Sequence, residues 1–227
     1  MSYWRELFFN QEKETPYICV TDPAEYGKDL YRSQWSFTNG IHSWTWEGQQ
    51  GKETLAEVFS NAEEAELYIN GQSQGRLQAE KQERKNYYSW ICRYTPGTIE
   101  VITYKNHNEI GRDMIQTVKS GSLKIQIEPE RLESDLKDSA YVILNIMLKD
   151  EAGTLDMSHD LSLKICVEGD GKLLAFGSAN PCTEAGYDGN VCKMYHGRAQ
   201  AILLKKVPGT VEVRVTSEGL PESSITV

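Results

Sequence analysis

The stretch IHSWTWEG, from Ile41 to Gly48, carries the residue types best suited to ligand chemistry in this sequence. Successive side chains of an extended strand point to opposite faces, so His42, Trp44 and Trp46 would share one face. Exposed coplanar indoles form a stacking platform for sugar rings, and these three residues are the candidate carbohydrate-binding site. The alternative is that the indoles are buried in a core or against a neighbouring module, as large aromatic side chains usually are.

No catalytic constellation accompanies this stretch. Residues Ser158 to Asp160 contain the residue types of a nucleophile, a base and an orienting acid. Neighbours in one loop cannot reach each other in the geometry of a triad, so we do not interpret them as one. Glu63, Glu64 and Glu66 fit a solvated strand face better than an acid–base pair. The segment GDGKLLAFG is typical of a hairpin turn rather than a phosphate-binding loop, and we assign no catalytic residue.

Cysteine and histidine are too scattered to predict a metal site. The five cysteines form no CxxC pair, and the four histidines show no zinc-binding spacing. An odd set of scattered cysteines favours free thiols and a cytoplasmic rather than a secreted protein, although Cys182 and Cys192 could bridge across one loop. We expect no metal and no cofactor.

The charge of the chain argues against two classes of partner. The formal net charge is −9 over 227 residues, with an isoelectric point near 5.1. Nucleic acids and anionic membranes are bound by clustered Lys and Arg, whereas the basic residues here alternate with acidic ones. No apolar stretch approaches the roughly 18 residues of a membrane span, and the N-terminus lacks the pattern of a secretion signal. We therefore expect neither nucleic-acid nor membrane binding.

The rest of the sequence has the period of β-strands. The motif Pro-Gly-Thr begins at Pro96 and again at Pro208, and alternating apolar and polar residues follow each copy. Pro-Gly marks a turn, and the alternation predicts a strand with one buried and one solvated face. Asn70-Gly71 predicts a type I′ hairpin, and Asn106 to Asn108 predicts a second hairpin turn.

The spacing of the repeated motif indicates the size of a domain. Its two copies lie 112 residues apart, about the length of one immunoglobulin-like sandwich. We predict an all-β fold of two tandem antiparallel immunoglobulin-like β-sandwiches, at residues 16–120 and 121–227. The boundary is placed around Ser120 to Ser122.

The first 15 residues differ from the rest. Trp4, Leu7 and Phe8 fall at positions i, i+3 and i+4, which is one apolar stripe of a short helix. Nothing adjacent in the sequence offers this stripe a partner helix. Residues 1–15 are therefore predicted to be a short helical segment whose apolar stripe needs a cover that the adjacent sequence does not supply.

Several motifs, taken in order, resemble the β-sandwich that follows the catalytic barrel in bacterial β-galactosidases of glycoside hydrolase family 2. They are HxWxWxG at His42 to Gly48, VFSNAEEAELYINGQSQG, YxPGT and EIGRD. The second half is similar to the immunoglobulin-like domain that ends many of these enzymes, through AYVILNIMLKDEAG, VEGDGKLLAFGSANP, HGRAQAIL and VPGTVEVRVTSEGL. The opening SYWRELFF resembles the last helical segment of the (β/α)₈ barrel.

The resemblance implies a parent enzyme that hydrolyses β-galactosides with retention, using two Glu side chains of its barrel. A barrel needs about 250 residues, and this sequence contains no barrel motif to which either glutamate can be carried over. The implied role is a non-catalytic accessory region, inactive alone, that braces the barrel and contributes to oligomer or substrate contacts. The implied partners are that barrel, a galactoside or another carbohydrate, and a second copy in a homo-oligomer.

Two other functions remain open. A carbohydrate-binding module would use Trp44 and Trp46, and a ligand-free immunoglobulin-like spacer would need no barrel at all. Members of the family also include β-glucuronidase-like and β-mannosidase-like enzymes. The resemblance therefore leaves the substrate of the parent enzyme open.

Overall fold

The computed structural model of the chain describes residues 2–10, 12–29, 38–81, 85–119, 121–130 and 140–227. The side chains of Ser2, Trp4, Phe8 and Glu80 lie outside this description. The chain divides into two compact units, Met1–Thr117 and Val118–Val227. Ser120, the first residue of the boundary that the sequence indicates, also lies outside the described residues.

The first unit contains one helix and two antiparallel sheets. Its sheets have the strand orders β1-β2-β5 and β4-β3-β6-β7. The elements are α1 (Ser2–Phe9), β1 (Tyr17–Val20), β2 (Glu53–Phe59), β3 (Glu64–Ile69), β4 (Gln72–Gln78), a 3₁₀ turn (Ala79–Lys81), β5 (Tyr87–Arg93), β6 (Thr98–Lys105) and β7 (Asn108–Gln116). Alternate side chains of both sheets meet in one apolar core, so the unit is a β-sandwich.

The second unit is also a sandwich of two antiparallel sheets. Their strand orders are β11-β13-β9-β8 and β12-β10-β14-β15. The strands are β8 (Lys124–Pro129), β9 (Tyr141–Lys149), β10 (Ser162–Gly169), β11 (Gly171–Gly177), β12 (Val191–Lys193), β13 (Arg198–Lys205), β14 (Val211–Thr216) and β15 (Ser223–Thr226). Together the two units confirm the prediction of an all-β chain built from two antiparallel sandwiches.

The two Pro-Gly-Thr motifs occupy corresponding places in the two units. The first lies at the start of β6 and the second comes immediately before β14. In β14, Val211, Val213 and Val215 are fully buried, whereas the residues between them face outward. The repetition therefore reflects a structural requirement of each sandwich, namely a turn that leads into an alternating core strand.

Both predicted hairpin turns are present. Asn70 and Gly71 have φ angles of 49° and 77°, the left-handed conformation that a type I′ turn requires at both central positions. The turn joins β3 to β4. Asn106 and His107 have φ angles of 49° and 64° in the turn between β6 and β7. In both turns an asparagine adopts the left-handed region, which its side chain tolerates better than most.

All five cysteines are free. Cys19, Cys92 and Cys192 are buried, and burial raises the pKa of the Cys19 thiol to about 12 and that of the other two to about 11. Cys166 and Cys182 are exposed. No described helix is long and apolar enough to cross a membrane.

The thiols should react in two groups. The thiolate is the reactive form of cysteine, so the three buried thiols stay protonated and shielded at pH 8. We expect rapid labelling of Cys166 and Cys182 by an aromatic disulfide reagent in the native chain, and of all five cysteines after unfolding. In the Cys166→Ser/Cys182→Ser variant the rapid phase should vanish. Rapid labelling of a third thiol would contradict the burial of Cys19, Cys92 or Cys192.

Candidate functional site

The segment that carries the candidate sugar-binding residues runs along β1 only at its start. Ile41 forms an isolated bridge with Val20, with N–O distances of 2.8 and 3.0 Å in the two directions. Beyond Ile41 the backbone is bonded by side chains rather than by a neighbouring strand. The Thr117 hydroxyl donates to the Trp44 carbonyl over 2.6 Å, and the Trp46 amide donates to the Tyr94 hydroxyl over 3.2 Å.

Both indoles of this segment lie in the core of the first unit. Trp44 is fully buried, its Nε1–H donates to the Thr95 carbonyl over 2.9 Å, and its ring meets Tyr94 edge to face at 5.0 Å. Trp46 is 7% exposed. In this arrangement neither ring presents a face to solvent on which a sugar could stack. The burial corresponds to the alternative of indoles packed inside the sandwich.

His42 lies partly exposed at the edge of this segment. Its Nδ1 is 2.8 Å from the Ile18 carbonyl, which fixes the proton on Nδ1 as the donor. The Ile18 amide in turn donates to Asp113 Oδ2 over 2.8 Å, and that oxygen lies 3.8 Å from His42 Nδ1. The Ile18 backbone therefore binds His42 through its carbonyl and Asp113 of β7 through its amide.

A column of three stacked rings runs from His42 to the N-terminal helix. His42 stacks on Tyr17 with a centroid distance of 4.7 Å, and Tyr17 stacks on Tyr3 of α1 at 4.0 Å. The interplanar angles are 15° and 11°, so both contacts are close to parallel. We call these three residues the ring column. Stacking of this kind stabilises by about 0.5–1.5 kcal/mol per pair beyond the area buried.

Leu7 anchors the helix on the same surface. It is 1% exposed and packs in a small apolar cluster with Cys19 of β1 and Phe59 of β2. Leu7 is thus the described member of the stripe predicted from the sequence, and it packs on a sheet, not on another helix. The side chains of Trp4 and Phe8 fall outside the described residues.

Asn61 holds the end of the helix. Its side-chain amide donates to the carbonyls of Leu7, Asn10 and Lys13, over 3.1, 3.0 and 3.4 Å. The last carbonyls of a helix lack partners within the helix, and a side-chain donor satisfies them. We call this arrangement the Asn61 clasp. It fixes the chain on both sides of the helix end.

The contacts at this surface attach α1 to the first unit. Among the described residues, no group of three His, Cys, Asp or Glu side chains could hold a metal ion. The contacts are stacked rings, one buried aliphatic side chain and carbonyl groups bound by an amide. Phe9, near the end of α1, is 83% exposed.

The residues that make this attachment were only partly predictable. Sequence reasoning selected His42 and Leu7, but it missed Asn61, Tyr17 and Tyr3. Asn61 is separated from Leu7 by 54 positions, and one asparagine between two strands ordinarily indicates only a turn. The quoted motif VFSNAEEAE contains this asparagine, which is the only signal that points to it.

The fold and this surface define a class of protein: a pair of β-sandwiches that carries a docked helix and no recognisable catalytic centre in its described part. Comparison with known proteins gives the family. Residues 123–226 match the model for glycoside hydrolase family 2 C-terminal domain 5, and residues 51–111 match a domain of unknown function, DUF4982. The chain belongs to the C-terminal region of glycoside hydrolase family 2, which confirms the resemblance seen in the sequence.

Individual relatives agree with this assignment. The chain is 27% identical over 217 residues to beta-galactosidase BoGH2A of Bacteroides ovatus, a match that covers 91% of this chain and 25% of the relative. A glycosyl hydrolase family 2 structure from Bacteroides cellulosilyticus superposes with a TM-score of 0.84 at 25% identity, over 100% of this chain and 30% of that one. A family 2 beta-glucuronidase shares the fold, with a TM-score of 0.71 at 14% identity over 95% of this chain and 20% of its own.

The chain thus spans about a quarter of the length of its curated relative. The matching part is a C-terminal region, which is consistent with a non-catalytic accessory domain.

Removal of the Asn61 clasp should loosen α1 without unfolding the sandwich. Asn61→Ala removes the side-chain donor that the carbonyls of Leu7, Asn10 and Lys13 share, a loss of about 1–3 kcal/mol. We expect the amides of the last turn of α1 to exchange with deuterium about 5- to 150-fold faster, while the core strands keep their protection.

The matched control for this measurement is Asn108→Ala. Asn108 is an exposed asparagine of the same unit, and its side chain donates to the nearby Asn106 carbonyl over 3.1 Å. This variant should leave exchange in α1 unchanged. Equal exchange in wild type and Asn61→Ala would show that the clasp does not hold the helix.

Proposed function

We propose that this chain braces the catalytic barrel of a retaining β-galactosidase, and that the bond-breaking step takes place in that barrel. The observation that carries the proposal is the docked helix α1. Its Leu7 side is fixed to the first unit, while Phe9 on the same helix is 83% exposed. A large exposed apolar side chain on a firmly held helix is suited to packing against a further domain.

The helix is held by three independent kinds of contact. The ring column contacts the first turn of the helix, and Leu7 packs on the sheet. The Asn61 clasp forms hydrogen bonds at the end of the helix. Such an attachment transmits the position of one domain to the next because little freedom remains at the joint. We infer that the sandwich positions the last helix of the barrel and limits its fraying.

The substrate class follows from the similarity to an enzyme named beta-galactosidase. The competing substrate is a β-glucuronide, since a protein with the same fold carries that name. Because the proposal places the bond-breaking step in the barrel, the experiment tests both substrates on the protein that contains the barrel.

The first test compares the activity of the isolated chain with that of the full-length protein. The purified 227-residue chain should not hydrolyse nitrophenyl β-galactoside or β-glucuronide above the level of a mock purification. The full-length protein encoded by the same gene should hydrolyse the galactoside, with the β-anomer as first product by proton NMR. Turnover by the isolated chain, or a full-length protein without galactosidase activity, would overturn the proposal.

The second test concerns the brace itself. Phe9→Gln removes an exposed apolar ring, so the isolated chain should keep its melting temperature within about 1 °C. In the full-length protein the same change should lower the temperature of half-inactivation by about 2–4 °C, because the ring is then buried against the barrel. Equal behaviour of the variant and the wild-type full-length protein would contradict a barrel contact at this helix.

A further inference from the structure

A groove of about 530 Å³ lies on the outer face of the β11-β13-β9-β8 sheet in the second unit. It is distinct from the surface that holds α1, and it is formed entirely by residues of one sandwich. Its floor consists of small side chains, Ala175 and Gly177 of β11, and Ile202 of β13 lies beside them. β11 is the edge strand of this sheet, and a glycine in a strand often marks a place where another group approaches closely.

Tyr187 forms one wall of the groove. A β-carbon on Gly177 would lie 2.2 Å from Cδ1 of the Tyr187 ring, so the ring rests directly on the glycine backbone. The Tyr187 carbonyl accepts a hydrogen bond from the Phe176 amide over 2.8 Å, which holds the ring in place from the backbone side. The side chain is nevertheless 52% exposed. The groove therefore presents an aromatic surface that is fixed at its base and open to solvent.

A row of amides continues from this wall across the sheet. Strand pairing places Gln200 opposite Gly177 on one side and opposite Asn145 on the other. Gln200 Nε2 donates to Asn145 Oδ1 over 3.0 Å, and Asn145 Nδ2 donates to Glu130. The two amides are thus oriented by each other and by a carboxylate. Neighbouring strands lie about 4.8 Å apart, so Gln200 lies about one strand spacing from Gly177, on which the Tyr187 ring rests, and Asn145 lies one spacing further.

Arg198 adds a charged group to the same groove. It lies two residues before Gln200 on β13, and its side chain lines the depression. Among the residues that the structure describes, its guanidinium makes no hydrogen bond or ion pair, although nearly every other described arginine side chain is bonded to a glutamate. Five N–H donors are therefore available to a ligand.

We propose that this groove binds a saccharide. A pyranose ring has C–H faces that pack on an aromatic ring and hydroxyl groups at its rim that bond to amides and guanidinium groups. Tyr187 supplies the packing surface, Gln200 and Asn145 the oriented amides, and Arg198 the donors. A few convergent polar groups beside an apolar surface are the usual composition of a small-molecule site. The net charge of −9 argues against a nucleic acid as the ligand.

The proposal does not depend on the proposed function, because it concerns the isolated chain and not hydrolysis. The test uses that chain on an array of neutral and acidic oligosaccharides, followed by saturation-transfer NMR with the strongest binder. We expect binding that weakens at least about tenfold in Tyr187→Ala and in Gln200→Ala, as for the removal of a central contact.

Tyr141→Ala is the matched control for the aromatic wall. Tyr141 is 53% exposed and lies on β9 of the same sheet, outside the groove. It should bind as wild type does, and all variants should melt with wild-type cooperativity. Absence of binding to every array member would overturn the proposal, and so would equal binding by wild type and Tyr187→Ala. A failure of galactoside hydrolysis in the full-length protein would leave this result unaffected.

Discussion

The alternation of buried and outward side chains along each strand is the constraint on which the rest of this structure depends. Because Val211, Val213 and Val215 must enter the core, the residues between them must face water. The same rule places Ala201 and Leu203 inside and Gln200 and Ile202 outside. Both surfaces considered for function are thus built on outward-facing side chains of strands, and the inward-facing side chains of the same strands form the apolar cores.

Polar side chains replace a strand ladder where the first sandwich is irregular. The segment that contains Trp44 leaves β1 after one bridge, and hydroxyl groups of Thr117 and Tyr94 bind its backbone instead. This arrangement lets two large indoles enter the core from a segment that is not a strand. One buried donor of this segment is left unsatisfied: among the described residues, the Trp46 indole N–H has no hydrogen-bond partner.

Sequence patterns predicted the features that depend on residues close together in the chain. They missed the contacts between residues far apart in the chain. Strand alternation, two left-handed asparagine turns and the paired Pro-Gly-Thr motifs are local patterns, and the family motifs extended them to the whole fold. The Asn61 clasp joins residues 54 positions apart, and the row of Gln200 and Asn145 joins residues 55 positions apart. Such contacts follow from sheet register and packing, which no single stretch of sequence records.

The contact between Gly177 and Tyr187 couples two positions of the sequence. A β-carbon at position 177 and the aromatic ring of residue 187 would occupy the same space, since they would be separated by 2.2 Å. An alanine at position 177 would therefore displace the Tyr187 ring from its place on the sheet, and with it the aromatic wall of the groove.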